Sequence, residues 1–562
     1  MVLAFQVYMN AAGDVKWDMK APLSDGISLS LDVYGSDESK RKSAILLRTP
    51  YGKSTDPIVS TGKFFASRGF VFISCDVRGR GDSDGEFVPY ENEGRDGYDL
   101  IGWIAKQPWS NGKVATWGAS YSGRIQWYTA VLQPPSLKAM ISVVPPSDPF
   151  VEDPTGIPSP LNVSWEFLVS GRALQNVKPV DWERVYSHLP LSELDMVTGR
   201  RMPQWHVRLE HQNTDEYTRS ISYQDKFDRV RVPVLHISGW YDDEQIGTPL
   251  NFSAMSSHKD RTVAENQYMI MGPWGHAVNT SRTLGEFDFG PNALIDLIGL
   301  EADWLDRHLN NSDTALPFKK KTRIFVMGKN EWRDFDSWPP ETSTEKRLYI
   351  TSSGKANSRF GDGSLLWNPP SYSERTDSFT YDPSNPVPFI ADQNYAQIGG
   401  PDDYSSIERR DDILVYSTDI LDRRVTMIGP VRMTLFASTS APDTDFTAKL
   451  LVVLPDSRAI RLCDGIVRLG RQEGIKGSLN IKAGNVIPLE IDMWNTSYCF
   501  ESGQKIRVEI SSSAFPKFAR NLNVEDNQAT TDKWQKAEQF VYHGKARPSS
   551  LVFRSVVENG RD

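Results

Sequence analysis

Two serines stand two positions apart in the stretch "TWGASYSGR" (116–124), between an apolar run and a helix-forming one. A serine at the tip of a sharp strand–turn–helix bend holds its Oγ clear of the sheet, with a helix N-terminus behind it. The backbone closes on itself at such a bend, so its near flanks must be small. Centred on Ser120, the flanks are Gly118 and Ser122, with Gly123 next. Centred on Ser122, they are Ser120 and Arg124, and arginine is too large. Ser120 is therefore the candidate nucleophile, and Ser122 the small residue that lets the turn close.

Such a serine needs a base to take its proton and an acid to orient that base. Where the bend sits in an α/β sheet, the chain order is Ser, Asp/Glu, His, each from a strand end. The chain has eight histidines. His188, His206 and His211 fall in a helical, proline-rich stretch, and His258 in a polar segment. His236 lies inside an apolar strand, as a core residue would. His308 closes an amphipathic helix, where a partner for the helix dipole is expected. His543 is near the end of a β-rich region. His276 alone follows a buried strand at its carboxyl end, where catalytic groups collect in α/β sheets. The preceding strand, "VPVLHISGWYDD" (232–243), offers Asp242 as the first carboxylate beyond its apolar run, with Asp243 as the alternative. The backbone N–H of Tyr121 supplies one donor for an oxyanion. A second donor should follow an early strand, where "LLRTPYGK" places Tyr51; on spacing alone, packing is an equal reading of that tyrosine.

The elements that would position these groups are legible as periodicities. Unbroken apolar runs at 43–51, 69–81, 112–118 and 138–148 alternate with helical spacing such as Tyr98, Ile101, Ile104 and Ala105. That pattern implies a parallel sheet covered on both faces. From Pro149 to about Arg231 the texture turns to short helices and proline-rich loops, an insertion in one α/β unit. Strands return at 232–243 and 266–276, followed by a closing helix at 293–309. Beyond residue 340 or so, short alternating strands without helices imply an all-β sandwich. The expected division is core 1–145, helical cap 146–231, core 232–340 and β-sandwich 341–562.

With these residues in hand, the chain resembles the cocaine esterase-like (CocE/NonD) serine hydrolases, relatives of X-Pro dipeptidyl-peptidases and α-amino acid ester hydrolases. The stretches that carry the likeness are "RTPYGK", "DVRGRGDSDGEF", "GYDLIGWIAKQPWSNGKVATWGASYSG", "GWYDD", "GPWGH", "RIFVMGKNEWRDFDSWPP" and "APDTDFTAKLLVVLPD". The resemblance implies an α/β-hydrolase core, an inserted helical cap and a C-terminal jelly-roll. It places nucleophile, acid and base at Ser120, Asp242 and His276, and gives the Tyr51 hydroxyl a place beside the Tyr121 N–H in the oxyanion hole. Cap aromatics such as Trp165 and Phe167 would line the pocket. In the α-amino ester hydrolases a carboxylate cluster holds the substrate ammonium. Glu244 falls at one such place and Asp153 would supply another, but Gln245 interrupts the set. The expected activity is a carboxylesterase working through an acyl-enzyme. An α-amino acid ester hydrolase or β-lactam acylase, or an X-Pro dipeptidyl-peptidase type of amide hydrolase, is the enzymatic alternative. A degenerate hydrolase whose jelly-roll binds a ligand is the non-enzymatic one.

The rest of the sequence sets bounds. A net charge of −9 and a pI near 5.6 argue against a nucleic-acid partner. No apolar run reaches the ~18 residues of a membrane span, and the first residues carry no basic, signal-like start. Three widely spaced cysteines, Cys75, Cys463 and Cys499, imply no disulfide framework and a reducing, cytoplasmic compartment. The adhesion-like Arg80-Gly81-Asp82 reads as a structural turn, and "DSDGE" lacks the spacing of a calcium loop. No cofactor or metal is expected. The partner is a small-molecule ester or amide, and homo-oligomerisation is left open.

Overall fold

The computed structural model describes residues 15–152, 156–314, 316, 319–391, 398–471 and 484–556. Its first ordered strands are β1 (Val15–Pro22), β2 (Ser28–Tyr34), β3 (Lys42–Thr49), β4 (Val71–Asp76), β5 (Ser110–Ala119), β6 (Leu137–Val143), β7 (Val234–Tyr241) and β8 (Gln267–Gly275). A small ribbon, β9 (Thr283–Leu284) and β10 (Phe287–Asp288), precedes β11 (Thr322–Val326) and β12 (Glu331–Phe335). Apart from the ribbon, these form one sheet in the order β1-β2-β4-β3-β5-β6-β7-β8-β11-β12. Pairing is parallel from β4 across to β11 and antiparallel at both edges. Strands β4 and β7 are buried along their whole length, as a sheet covered on both faces requires.

Helices α1 (Asp56–Ser67), α2 (Glu93–Ala105) and α3 (Tyr121–Val131) connect the first strands. Between β6 and β7 come only short helices: α4 (Asn162–Leu168), α5 (Trp182–Ser187), α6 (Leu194–Val197), α7 (Pro203–Glu210) and α8 (Glu216–Ser220). They share a small core built on Trp182, Tyr186, Leu194 and Trp205, to which Ala519 and Ala529 from the C-terminal part of the chain also belong. Then α9 (Gly247–Ser256), α10 (Arg261–Glu265) and α11 (Leu297–Asn310) complete the α/β region. Helices α2 and α3 pack on one face of the sheet, α1 and α11 on the other.

The helical spacing of Tyr98, Ile101, Ile104 and Ala105 falls on α2, whose buried apolar residues are Leu100, Ile101 and Ile104 while Tyr98 is 38% exposed. Asp96 and Gly97 share the inner face, Asp96 bonding Arg78 and Gly97 lying against Thr129 and Arg48. One expectation is corrected here. His308 does not serve the α11 dipole as a cation. It lies 4.4 Å from the Trp304 ring, and burial, with Arg307 beside it, pushes its pKa down to about 4.

The described residues of 343–556 include an eleven-stranded, almost wholly antiparallel sheet whose longest strand, Val425–Thr439, pairs with three others. Its hydrophobic core is continuous with Trp240, Tyr241 and Met271 of the α/β region, so the strand ends that carry the candidate acid are braced from this side. Among the described residues no helix is long and apolar enough to cross a membrane. Cys75, Cys463 and Cys499 are free and buried.

Candidate active site

Ser120 occupies the bend between β5 and α3 with φ 57° and ψ −129°, a conformation that costs a non-glycine residue strain. The bend is over-determined: Ser120 N–H donates to Val143 O at 2.9 Å, and Ser120 O accepts from Gly123 N–H and Arg124 N–H. A Cβ on Gly118 would come within 2.7 Å of the Ser122 Cβ, and one on Gly123 within 2.7 Å of Val143 O. The small flanks thus answer real contacts, and Ser122 faces Gly118 across the turn as the spacing argument requires.

The carboxyl ends of β7 and β8 bring the next two groups together. Asp242 Oδ1 lies 2.8 Å from His276 Nδ1. Its Oδ2 accepts the Ser238 hydroxyl at 2.7 Å, and Glu244 N–H adds a bond to Oδ1. Asp243 Oδ1 stands farther from the same ring nitrogen, at 3.3 Å. With Nδ1 committed to a carboxylate, Nε2 is the nitrogen left to take a serine proton. Burial disfavours the His276 cation, but Asp243, Asp242 and Glu244 outweigh it and hold its pKa well above the ordinary imidazole value. Burial pushes the Asp243 carboxyl up despite His276. Glu244 goes well above its ordinary value, through burial first and then the charges of Glu152, Asp243 and Asp242. Asp242, Asp243 and His276 are also the one set of metal-ligating groups that converges among the described residues, within 4.8 Å of one another. The direct Nδ1–Oδ1 bond uses the atoms a cation would take.

Tyr51 follows β3 into the same space. Its hydroxyl accepts the Trp165 Nε1–H from α4 at 3.0 Å, which frees its own O–H to donate elsewhere. Burial, with Glu244 nearby, pushes its pKa up to about 12, so it remains a phenol. Tyr121 opens α3, and the first N–H groups of a helix have no intrahelical acceptor. Its ring stacks between Tyr90 at 4.8 Å and Trp165 at 5.9 Å, and its hydroxyl donates to Glu93. The residue after the serine is therefore fixed from both faces.

Of the other expected site residues, Trp165 reaches the site, while Phe167 packs edge-on against Trp182 at 5.8 Å, within the core of the short helices. Asp153 lies outside the described residues. His236 is a core residue as expected, bonded to Gln267, its pKa pushed down to about 3 by burial. Gln245 is tied by its side-chain amide to Asn495 O at 2.6 Å, in the β-rich region. Spacing gave no sign of Glu152, which lies close enough to Glu244 to raise its pKa and whose carboxylate accepts Ser147 N–H. A cavity of about 100 Å³ opens beside it, lined among others by Tyr90, Arg124, Phe150, Glu166 and Tyr217.

A parallel sheet with a strained serine at a strand–helix bend and an Asp–His pair at its carboxyl edge is the arrangement of an α/β serine hydrolase. Comparison with known proteins narrows the class. The model of the X-Pro dipeptidyl-peptidase (S15) family matches residues 25–278, and that of the X-Pro dipeptidyl-peptidase C-terminal non-catalytic domain matches 318–552. The cocaine esterase of Rhodococcus sp. (strain MB1 Bresler) is 33% identical, over 95% of this chain and 97% of its own. Two solved structures share the fold at a TM-score of 0.84: an aminopeptidase of a marine sediment Thaumarchaeota archaeon, 22% identical over 96% of this chain and 97% of its own, and an α-amino acid ester hydrolase, 21% identical over 98% of each. The chain belongs to the cocaine esterase-like (CocE/NonD) serine hydrolases, and it is a serine hydrolase of ester bonds.

Proposed function

We propose that Ser120, His276 and Asp242 are the catalytic triad of a carboxylesterase, with Tyr51 Oη–H and Tyr121 N–H as the oxyanion donors. His276 Nε2 removes the Ser120 proton as Oγ attacks the ester carbonyl. Asp242 keeps the ring in its Nδ1–H tautomer and stabilises the imidazolium that forms. The two donors receive the negative charge of the tetrahedral intermediate. His276 returns the proton to the leaving alkoxide, and water, deprotonated by the same nitrogen, clears the acyl-enzyme. The observation that carries this reading is the Asp242–His276 bond of 2.8 Å, beside a serine held on a strained strand–helix bend. On the same reading the chain divides into a core of 1–145 and 232–340, a cap of 146–231 and a jelly-roll of 341–562. The free, buried cysteines suit a reducing compartment. Rapid mixing with an activated acyl ester tests the mechanism: a burst of alcohol equal to the enzyme concentration and an acyl adduct on the Ser120 peptide are expected. Turnover with neither would sink it.

A second reading, hydrolysis of α-amino esters, has one observation in its favour. Glu244 Oε2 is buried with no hydrogen-bond partner among the described residues, beside Glu152. A substrate ammonium would satisfy it. Gln245 leaves this pair without a third carboxylate, so the simple ester is the primary substrate class. Parallel rates on an acyl ester, an α-amino ester and an X-Pro amide sort the two readings, and Glu244→Gln slows only amine-bearing substrates if the second is right.

A further inference from the structure

The Arg80-Gly81-Asp82 turn holds an arginine that faces inward: Arg80 is 1% exposed. Its guanidinium is bonded by carbonyls. Nε donates to Pro50 O and Nη1 to Val169 O, both at 2.8 Å. Pro50 immediately precedes Tyr51. Val169 closes α4, the helix that carries Trp165. One planar group therefore fixes the two backbone segments whose side chains meet in the Trp165 Nε1–Tyr51 Oη bond of 3.0 Å. The helical segment answers in kind. Arg172, one turn beyond Val169, donates to Gly81 O through Nε at 3.2 Å and Nη2 at 3.1 Å, and to Ser83 O, while Gly81 N–H donates to Arg172 O at 2.8 Å. The turn between the arginines has no room to change. Gly81 has φ 48°, and a Cβ there would lie 2.1 Å from Asp76 Oδ2.

We infer that Arg80 is a positioning residue of the oxyanion site, holding the Tyr51 hydroxyl in place by clasping the backbones on both sides of the Tyr51–Trp165 bond. The inference rests on the oxyanion role proposed for Tyr51. A hydroxyl donor acts only if it is already aimed at the developing charge. Tyr51 stands in the turn that follows β3, and Trp165 stands on a helix of seven residues from another part of the chain. Neither element holds the other through a ladder, so the register of their side chains depends on the cross-link. Arginine suits that task because its rigid fork donates in several fixed directions at once, where lysine offers a single rotating head.

The test is a double-mutant cycle in the full-length chain, with 4-nitrophenyl acetate as substrate and kcat normalised by fluorophosphonate titration of competent sites. Arg80→Met is expected to lower kcat about 10- to 100-fold, as loss of an outer positioning contact does, with KM nearly unchanged. In a Tyr51→Phe background the same change should cost no more than about threefold, because coupled residues are non-additive. Arg80→Lys should fall between. Equal factors in the two backgrounds, or an unchanged kcat in Arg80→Met alone, overturn the inference. A Tyr51→Phe enzyme with wild-type kcat overturns the oxyanion role itself, a different failure. If Arg80→Met does not fold, Arg80→Lys and Arg172→Met, which loosen the clasp from either side, carry the same cycle.

Discussion

Among the described residues two aspartate–histidine contacts invite comparison, Asp242–His276 with the proposed nucleophile Ser120 and Asp377–His543 with Ser352, and they are arranged differently. In the β-rich region Ser352 Oγ lies 2.7 Å from both oxygens of Asp377 and 3.1 Å from His543 Nε2. That same Nε2 is 3.0 Å from Asp377 Oδ2, and Nδ1 is 2.9 Å from the Tyr372 hydroxyl. Serine and histidine thus both turn toward one carboxylate, which also accepts Ala356 N–H and the Tyr416 hydroxyl. No nitrogen is left to receive a serine proton, and His543 and Asp377 are wholly buried. At the carboxyl edge of the parallel sheet the aspartate takes one imidazole nitrogen and leaves the other, and the serine sits on a strained bend ahead of a helix. The residue types are identical; which nitrogen the carboxylate holds, and what the backbone does at the serine, separate the proposed relay from a structural knot.

The largest effect that tests this contrast is at the serines. Ser120→Ala should lower kcat on a simple ester about 10⁶-fold, the scale known for a lost serine nucleophile, and abolish fluorophosphonate labelling. Ser352→Ala should leave kcat per folded enzyme unchanged. A labelled Ser120→Ala enzyme, or an inactive but folded Ser352→Ala one, would reverse the roles. The aspartates come next. Asp242→Asn should cost about 10⁴-fold in kcat by imposing the wrong tautomer. Asp377→Asn should spare kcat and cost about 3–5 kcal/mol of stability in denaturant unfolding, the scale of a broken buried pair. Burial opposes ionisation of Asp377, yet the bonds from His543, Ser352, Ala356 and Tyr416 hold its carboxyl below the ordinary value. Its contribution is therefore complete above the unfolded carboxyl value of about 4 and is lost as pH falls through the folded value. An acid limb of stability that survives unchanged in Asp377→Asn would contradict this.

What could be read in advance follows the same division. The parallel strands, the bend at Ser120 and the places of Asp242 and His276 just past β7 and β8 were legible because each is a local pattern: apolar runs of strand length, small flanks, a polar group just past a buried strand. The bland expectation for His308 failed because Trp304, one turn back, desolvates it. The links that cross the chain left no mark in spacing: Arg80 to Pro50 and Val169, His543 to Asp377, Glu152 to Glu244. Those depend on which loops the fold brings face to face. The Tyr51 contact with Trp165 spans 114 positions, so spacing alone could not show that neighbour, and the oxyanion role proposed for Tyr51 came with the resemblance.

The smallest effect separates the two acids beside His276. Both carboxylates lie near Nδ1, at 2.8 Å for Asp242 and 3.3 Å for Asp243, but Asp243 Oδ1 has no hydrogen-bond partner among the described residues, whereas Asp242 is held by Ser238. The better-held oxygen should orient the ring, and the looser one should act through charge alone. As a general base His276 must be neutral, so a raised pKa places the acid limb of kcat/KM above the ordinary imidazole value of about 6.5. Removing the Asp243 charge favours the neutral ring and moves that limb to lower pH, by about one unit for a charge at this range. Asp243→Asn should therefore keep its plateau kcat and gain activity on the acid side of the profile. A loss of plateau kcat as large as that of Asp242→Asn would make Asp243 the orienting acid, and the distinction drawn from half an ångström would fall with it.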